Sequence, residues 1–167
     1  MQKERYQSAC FTGHRNITKD EMQLLPERIS EQIKELAERG ITHYYAGGAV
    51  GLDFAAAVTV LNYKQIIPEL TLTLAIPCRD HDIGWDRLDR ELFSRVVDRA
   101  DEVVYVSDEY FRGCMQKRNR YMVDRSCVCL YYMIRNSGGT YRTVNYAKKC
   151  GLEMIPLASG AQIKLFD

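Results

Sequence analysis

The fold of this chain is decided by residues Tyr44–Asp53, whose sequence is YYAGGAVGLD. The residues from Thr42 to Ala46 predict a strand, and the alanine-rich segment 52–65 predicts a helix directly after the last glycine. A glycine-rich turn between a strand and a helix lets the backbone approach a ligand closely. The first N–H groups of the helix then favour a phosphate or another anion. The alternative is that the glycines serve only a tight turn and close helix–sheet packing.

The spacing of the glycines in this turn differs from that of two common phosphate-binding motifs. Gly47, Gly48 and Gly51 match neither the G-x-G-x-x-G of dinucleotide-binding folds nor the G-x-x-x-x-G-K-[ST] of phosphate-loop enzymes. Asp53 falls in the first turn of the predicted helix. It either pairs with the positive helix N-terminus or accepts hydrogen bonds from a ribose hydroxyl or a base.

Two further glycine-containing segments follow predicted strands. The first strand, 8–11, runs into Gly13, His14 and Arg15, and a strand over 127–133 runs into a polar turn that ends with Gly138-Gly139-Thr140. The planar guanidinium of Arg15 suits a phosphate or a carboxylate. His14 either hydrogen-bonds a ligand or ends the strand.

Strands alternate with helices along the whole chain. Further strands are predicted over 71–76, 102–107 and 153–157, and helices over 19–40, 85–100, 114–125 and 143–149, the first of them capped by Thr18. This order predicts an α/β fold of three layers, a mainly parallel sheet with helices on both faces. All three glycine segments then lie at the carboxyl edge of the sheet, where such folds bind ligands.

The length, net charge and apolar content of the chain limit the classes of function that it can have. The 167 residues are predicted to form a single domain, 1–167, and the formal net charge of +1 argues against nucleic acid and membranes as partners. No apolar run is long enough to span a bilayer, and the first residues lack a signal-peptide core, which predicts a cytoplasmic protein.

The six cysteines form no C-x-x-C pair. We therefore expect reduced packing residues and no metal site.

The predicted helix over 114–125 carries a dense basic surface. Lys117, Arg118, Arg120 and Arg125 all fall within it. The surface is either a solvated helix face or a basic wall for phosphates.

Four motifs together resemble a known superfamily. They are Thr12–Arg15, Gly47–Asp53, Gln116–Ser126 with the pattern Q-x-R-N-x-x-M-V-D-x-S, and Gly138–Thr140. In this order they resemble the SLOG superfamily, and within it the YpsA-like bacterial branch. The resemblance implies a Rossmann-like fold and a pocket for a nucleotide or an ADP-ribose-like ligand. It places these residues around the pocket: Gly13, Arg15, Gly47, Gly48, Gly51, Asp53, Arg118, Asn119, Gly138, Gly139 and Thr140. A homo-oligomer is compatible with the superfamily, although the sequence shows no interface.

Two branches of the superfamily supply alternatives. LOG-type phosphoribohydrolases carry P-G-G-x-G-T-x-x-E, whereas this chain has Asn145 at the position of the glutamate. An asparagine is not a general acid or base at neutral pH, which leaves Asp53 as the candidate catalytic residue. The DNA-processing protein A branch shares the Gly-x-x-Gly-x-Asp turn, and Tyr110, Phe111 and Tyr121 could stack on bases beside the basic helix.

Three hypotheses follow. The first is a nucleotide-binding sensor or regulatory module without chemistry, because three glycine segments converge without a clear acid–base pair. The second is a LOG-type nucleotide hydrolase that uses Asp53. The third is a single-stranded nucleic-acid binder.

Overall fold

The computed structural model describes residues 4–159. Its strands are β1 (Ser8–Gly13), β2 (His43–Ala46), β3 (Thr71–Ile76), β4 (Glu102–Tyr105), β5 (Val128–Tyr132) and β6 (Glu153–Pro156). Its helices are α1 (Lys19–Glu38), α2 (Leu52–Tyr63), α3 (Arg87–Arg99), α4 (Cys114–Asp124) and α5 (Gly138–Lys149), and a 3-10 turn over Arg5–Gln7 precedes β1. The predicted domain 1–167 includes both chain ends, which lie outside the described range.

The six strands form one parallel sheet in the order β4-β3-β2-β1-β5-β6. Cys10 of β1 lies opposite Tyr45 of β2 on one side and opposite Cys129 of β5 on the other. The chain builds the sheet outward from β1 to β4, then returns to the other side of β1 for β5 and β6. The strand order therefore reverses beside β1, and a crevice opens beyond the carboxyl ends of β1 and β5.

Alternating side chains of β1 point into two separate cores. Phe11 packs with Leu25, Ile29 and other residues on the face that α1, α2 and α3 cover. Cys10 packs with Met122 of α4 and with a residue of α5 on the opposite face. Successive strand residues face opposite sides of a sheet, so β1 serves both layers of helices. The predicted α/β Rossmann-like sandwich, with helices on both faces of a parallel sheet, is confirmed.

The start of α5 differs from the prediction. The helix begins at Gly138, whereas the sequence pattern predicted a turn up to Thr140 and a helix from Thr143. Glycine is a poor helix former, so two successive glycines indicated a turn. Gly138 has φ 84°, a conformation that glycine adopts without strain, and Gly139 and Thr140 complete the first helical turn.

Candidate anion-binding cavity

The crevice beyond β1 and β5 holds a cavity of about 490 Å³. Its wall comes from four segments: the end of β1 with the residues after it, the loop into α2 with the first turn of that helix, the first half of α4, and the loop after β5 with the start of α5. The predicted site residues that line it are Gly13, His14, Arg15, Asp53, Arg118, Asn119, Gly138, Gly139 and Thr140. The structure therefore brings together side chains that are more than a hundred positions apart in the sequence.

The glycines of the segment Tyr44–Asp53 do not line this cavity. Gly47 lies against buried side chains, because a Cβ there would be 2.5 Å from Oδ2 of Asp53 and would also overlap Arg118. Gly51 has φ 84°, and a Cβ there would be 2.5 Å from the carbonyl oxygen of Arg15. Gly48 has φ 72° and packs near Phe93. In this fold Gly47 and Gly51 permit close packing against Asp53, Arg118 and Arg15 beside the cavity.

Arg118 joins the two layers of helices at the carboxyl edge of the sheet. Its side chain is only 5% exposed. Nη1 donates to the carbonyl oxygen of Gly47 and, at 3.2 Å, to that of Ala75. These two carbonyls lie at the ends of β2 and β3, so α4 is tied to the strands by a buried guanidinium.

Asp53 supplies the opposite charge from α2. It is 7% exposed, and Oδ2 accepts a hydrogen bond of 3.4 Å from the N–H of Ala49. Burial raises the pKa of Asp53, while the charge of Arg118 acts in the opposite direction. Burial likewise lowers the pKa of Arg118, and Asp53 opposes that shift. The two groups thus lower the electrostatic cost of each other's burial.

His14 connects the ends of β1 and β5. Nε2 accepts a hydrogen bond of 3.0 Å from the N–H of Ile134, so this nitrogen carries no proton and the ring is neutral. Burial lowers the pKa of His14, and the charge of Arg135 lowers it further. His14 is 4% exposed but lines the cavity. His14 therefore holds the residues after β5 through its hydrogen bond with Ile134, and its ring also forms part of the cavity wall.

Asn119 connects α4 with the first turn of α5. Its Nδ2 donates to Oγ1 of Thr143 at 2.9 Å, and that hydroxyl donates to the carbonyl oxygen of Gly139 at 2.9 Å. The amide oxygen of Asn119 accepts from Nε of Arg118 at 2.8 Å. This chain of hydrogen bonds orients the start of α5 relative to the buried guanidinium.

The lining is basic. Arg15 and Arg135 are exposed at the rim, and Arg118 lies at the base. Asp53 is the only carboxylate among the described residues that line the cavity. The N-terminus of α5 also opens on it and adds its positive dipole end. Such a site favours a ligand with one or more negative charges.

Sequence reasoning missed several residues of this wall. Asn16, Met115, Gln116 and Arg135 line the cavity but were not assigned to the pocket. Arg135 could have been found, because it follows β5 as Arg15 follows β1. Within residues 4–159 no group of histidine, cysteine or acidic side chains could hold a metal ion. In the same range, no helix has both the length and the apolar character needed to cross a membrane.

The reversal of strand order beside β1 and the basic cavity at that point define a Rossmann-like α/β protein with a candidate binding site at its sheet edge. The chain belongs to the YspA SLOG family, because the model of that family, YpsA, matches residues 9–153. The resemblance to the SLOG superfamily and to its YpsA-like branch is thereby confirmed.

Proteins similar to this chain occur in Bacillus and in other bacteria. An uncharacterized SPbeta prophage-derived protein, YoqJ of Bacillus subtilis, is 29% identical over 138 residues, which are 75% of this chain and 81% of the relative. A UPF0398 protein from Halalkalibacterium halodurans is 27% identical over 116 residues, 68% of this chain and 59% of the relative.

Solved structures of DNA processing protein A share the fold. The protein from Helicobacter pylori superposes with a TM-score of 0.65 at 17% identity and covers 92% of this chain. The protein from Streptococcus pneumoniae gives a TM-score of 0.67 at 16% identity and covers 96%. This chain spans 65% and 56% of those two chains, respectively.

The prediction against nucleic acid as a partner is wrong. It rested on the formal net charge of +1, whereas the H. pylori protein, which has the same fold, is described by its single-stranded DNA binding mode. Net charge is summed over the whole surface and does not exclude a local basic surface. The partner must instead be judged from where the basic residues lie.

Proposed function

We propose that this chain binds a nucleotide or nucleotide derivative and holds its phosphate groups in the cavity lined by Arg15, Arg118 and Arg135. Family membership and the DNA-binding fold neighbour support a role in nucleotide or nucleic-acid binding. The observation that carries the proposal is the convergence of three guanidinium groups and the α5 N-terminus on one cavity. Guanidinium groups and helix N-termini are the groups that proteins use for phosphate.

The size of the cavity fits this ligand class. A volume of about 490 Å³ lies within the range of roughly 300–1,000 Å³ that is typical of small-molecule sites. Within residues 4–159, Arg15, Arg118 and Arg135 take part in none of the salt bridges, which involve other basic side chains. The two rim arginines are therefore available to an anionic ligand.

Binding without chemistry is the simplest function of this arrangement. Asn145 stands where LOG-type hydrolases have their glutamate, and it is not among the residues that line the cavity. Asp53 lines the cavity, but its Oδ2 atom accepts from Ala49, and the charge of Arg118 opposes the rise that burial causes in its pKa. We therefore propose a ligand sensor or regulatory module, with turnover of a nucleotide panel as the test for an enzyme.

The experiment is a thermal-shift titration with inorganic phosphate, ribose 5-phosphate, AMP and ADP-ribose. A ligand present at about a hundred times its Kd stabilises the native state by roughly 2.7 kcal/mol. For a chain of this size, that is a rise in Tm of about 5–10 °C. Arg15→Ala and Arg135→Ala should each reduce the shift.

Arg95→Ala is the matched control. Arg95 is an exposed arginine of α3 that does not line the cavity, so its loss changes the net charge equally. If all three variants weakened binding equally, the effect would be explained by the change in net charge and not by the cavity. Unchanged binding in Arg15→Ala and Arg135→Ala would contradict the proposed site.

A second candidate is single-stranded nucleic acid, because cations and aromatic rings alternate on the surface of α4 and α5. Lys117 lies 5.8 Å from the ring centroid of Phe111, and Arg120 lies 5.1 Å from that of Tyr146. Tyr110, next to Phe111, is 71% exposed. Aromatic faces for bases beside cations for phosphates are the features that single-strand binders combine.

A further cavity extends the basic site along this surface. It measures about 330 Å³, is lined by Arg120, Arg142 and Tyr146 among others, and shares Gln116 and Asn119 with the first cavity. A strand of several nucleotides could therefore continue from one cavity into the next.

Fluorescence anisotropy with a labelled oligothymidylate tests this candidate. If Z phosphates are neutralised, log K falls with log salt by about 0.7 Z for a single strand. Arg120→Gln and Arg142→Gln should each lower the slope, whereas Arg95→Gln should not. Micromolar binding of AMP with no oligonucleotide binding at low salt would reject this candidate and leave the first one in place.

A further inference from the structure

An apolar cavity lies between α2, α3 and the loop that leads into α2. It measures about 260 Å³, and its walls are formed largely by Phe54, Leu74, Trp85, Leu92, Phe93 and Val96. Of the described residues, only the buried Ala49 and Asp53 line both this cavity and the anion-binding cavity. A ligand of the apolar cavity is therefore a different molecule from the anion.

The apolar cavity is reached from solvent along α3. Trp85, Asp89 and Leu92 line it and are only half-buried. Side chains that line a cavity and also contact solvent mark its mouth. A small molecule can therefore enter from the surface between α3 and the loop before α2.

The size of the cavity suits one aromatic ring with a short chain. A cavity of roughly 150 Å³ with aliphatic and aromatic walls stays dry and takes up benzene. The larger volume of about 260 Å³ therefore has room for a ring and a few further atoms. The rings of Trp85 and Phe93, whose centroids are 5.7 Å apart at an interplanar angle of 79°, supply aromatic contacts for such a ligand.

The charges on the cavity wall favour a cation. No basic side chain of residues 4–159 lines the apolar cavity, whereas Asp53 and Asp89 do. Oδ2 of Asp53 already accepts from the N–H of Ala49, and the nearby charge of Arg118 opposes the effect of its burial. Within the described residues, the Asp89 carboxylate takes part in no hydrogen bond and no salt bridge. Asp89 is therefore the free anionic group at the mouth.

The ring of His81 adds no positive charge to this wall. It packs edge to face against Trp85 and against Phe93. Burial lowers the pKa of His81, so the ring is neutral at neutral pH. A cationic ligand therefore meets aromatic rings, which attract cations, and one free carboxylate.

We propose that the apolar cavity binds a small organic amine that carries an aromatic ring. The ammonium group pairs with Asp89 at the mouth, because ammonium–carboxylate hydrogen bonds are charge-assisted and strong. The ring lies between Phe54, Trp85 and Phe93, where removal of its apolar surface from water stabilises the complex. The amine and an anion can occupy the protein together, so this site is independent of the proposed function.

Phenethylamine is the probe, and the fluorescence of Trp85, the single tryptophan of the chain, is the readout. Phenylethyl alcohol has the same ring and chain without the positive charge, and hydrocinnamate carries a negative charge. Phenethylamine should bind at least about tenfold more tightly than the alcohol, as expected for one hydrogen bond to a charged group. Hydrocinnamate should bind more weakly still. A parallel titration of free tryptophan corrects for quenching by the probes.

Asp89→Asn tests the contact with the ammonium group. The variant should bind phenethylamine no more tightly than phenylethyl alcohol, while its affinity for the alcohol stays that of the wild type. Asp98→Asn is the matched control, because Asp98 is an exposed carboxylate of α3 that does not line the cavity. Equal loss of the preference in both variants would assign it to net charge and overturn the role of Asp89.

Val50→Phe tests the cavity by filling it. Val50 is half-buried and lines the apolar cavity but not the anion-binding cavity. The variant should lose the binding of phenethylamine and of phenylethyl alcohol. Ile66→Phe, at a residue that is 71% exposed after α2, adds the same side chain elsewhere and should change neither. Wild-type affinity for phenethylamine in a folded Val50→Phe protein would place the amine outside this cavity and overturn the proposal.

The remaining outcomes are equally decisive. Equal affinity of the wild type for phenethylamine and the alcohol would overturn the selection of a cation, and constant Trp85 fluorescence with all three compounds would overturn the site. Neither result bears on the arginine-lined cavity, whose test uses phosphate-bearing ligands. Failure of the amine site is therefore distinguishable from failure of the proposed function.

Discussion

Among single residues, Gly51 lies next to the cavity at a position that leaves no room for a side chain. It combines φ 84° with a position where a Cβ would lie 2.5 Å from the carbonyl oxygen of Arg15. We expect Gly51→Ala to lower the free energy of unfolding by about 2–4 kcal/mol, through backbone strain and overpacking together. It should also weaken ligand binding, because Arg15 must move. Urea unfolding at constant m-value measures the first effect.

Gly84 provides the matched control. It has φ 87°, but a Cβ at this position would have no atom of the described residues within 4 Å. Gly84→Ala should therefore cost only the conformational strain, about 1–2 kcal/mol. Equal losses in the two variants would show that the contact with Arg15 has no energetic weight.

His14 predicts a pH dependence of stability. Burial and Arg135 lower its pKa in the folded state, so the unfolded chain binds a proton more readily. Its contribution to stability is therefore complete above the unfolded pKa, about 6.5, and is lost as the pH falls below it. Protonation would also break the hydrogen bond that Nε2 accepts from Ile134. We expect Tm to fall on acidification from about pH 8 to about pH 5.

His14→Gln isolates this contribution, because glutamine keeps an acceptor and does not titrate. The variant should lose stability less steeply as the pH falls. Part of the slope should remain, since burial also lowers the pKa of His81. A slope identical to that of the wild type would assign the whole effect to other groups.

At the scale of elements, the two side-chain N-caps should differ in their consequences. Thr18 accepts from the N–H of Glu21 at the start of α1, and Asp86 accepts from the N–H of Asp89 at the start of α3. Replacing either cap with alanine removes about 1 kcal/mol of helix stability. The buried side chains of α1 include Leu25, Ile29, Ile33 and Leu36, whereas α3 buries Val96.

Thr18→Ala is therefore expected to lower global stability by about 1 kcal/mol. Asp86→Ala should mainly increase local opening of α3, because an element with little buried surface opens below the global free energy. Native-state hydrogen exchange distinguishes these cases. Equal loss of protection in the central strands in both variants would contradict the expected difference between α1 and α3.

For the whole molecule, Arg118 of α4 and Asp53 of α2 place two opposite charges from the two helix layers in the buried edge of the sheet, where each opposes the pKa shift that burial causes in the other. Arg118→Met leaves the Asp53 carboxylate buried without its counter-charge, and we expect a loss of about 3–5 kcal/mol. Adding Asp53→Asn removes that charge, so the double variant should regain about 1–3 kcal/mol. Urea unfolding of the single and double variants measures this coupling.

The Arg39–Glu153 pair is the control at the surface. Nη1 of Arg39 lies 3.1 Å from Oε1 of Glu153, and the two side chains are 42% and 46% exposed. A double-mutant cycle on this pair should give a coupling of less than about 1 kcal/mol. Additive losses at Arg118 and Asp53 would show that these two residues stabilise the fold independently.

Local patterns predicted the elements, because they report interactions between near neighbours in the chain. Thr18 predicted the start of α1 through a hydrogen bond that spans three residues, and the alternation of Thr71–Ile76 predicted β3 at its observed bounds. The carboxyl-edge location of Gly13, Arg15 and Gly138 follows from the order of strands and helices alone. These parts of the fold depend on periodicity and backbone conformation, which the sequence displays directly.

The tertiary structure decided what the glycines and charges do. Arg118 meets the carbonyl of Gly47 across 71 positions of sequence, so no local pattern distinguishes it from Lys117 or Arg120 on the same helix. Gly47 and Gly51 predicted a ligand cradle, and the tertiary structure adds that a side chain at either position would overlap Asp53 and Arg118, or Arg15. Such contacts depend on how two helix layers meet across a sheet, and that arrangement exists only after long-range packing has formed.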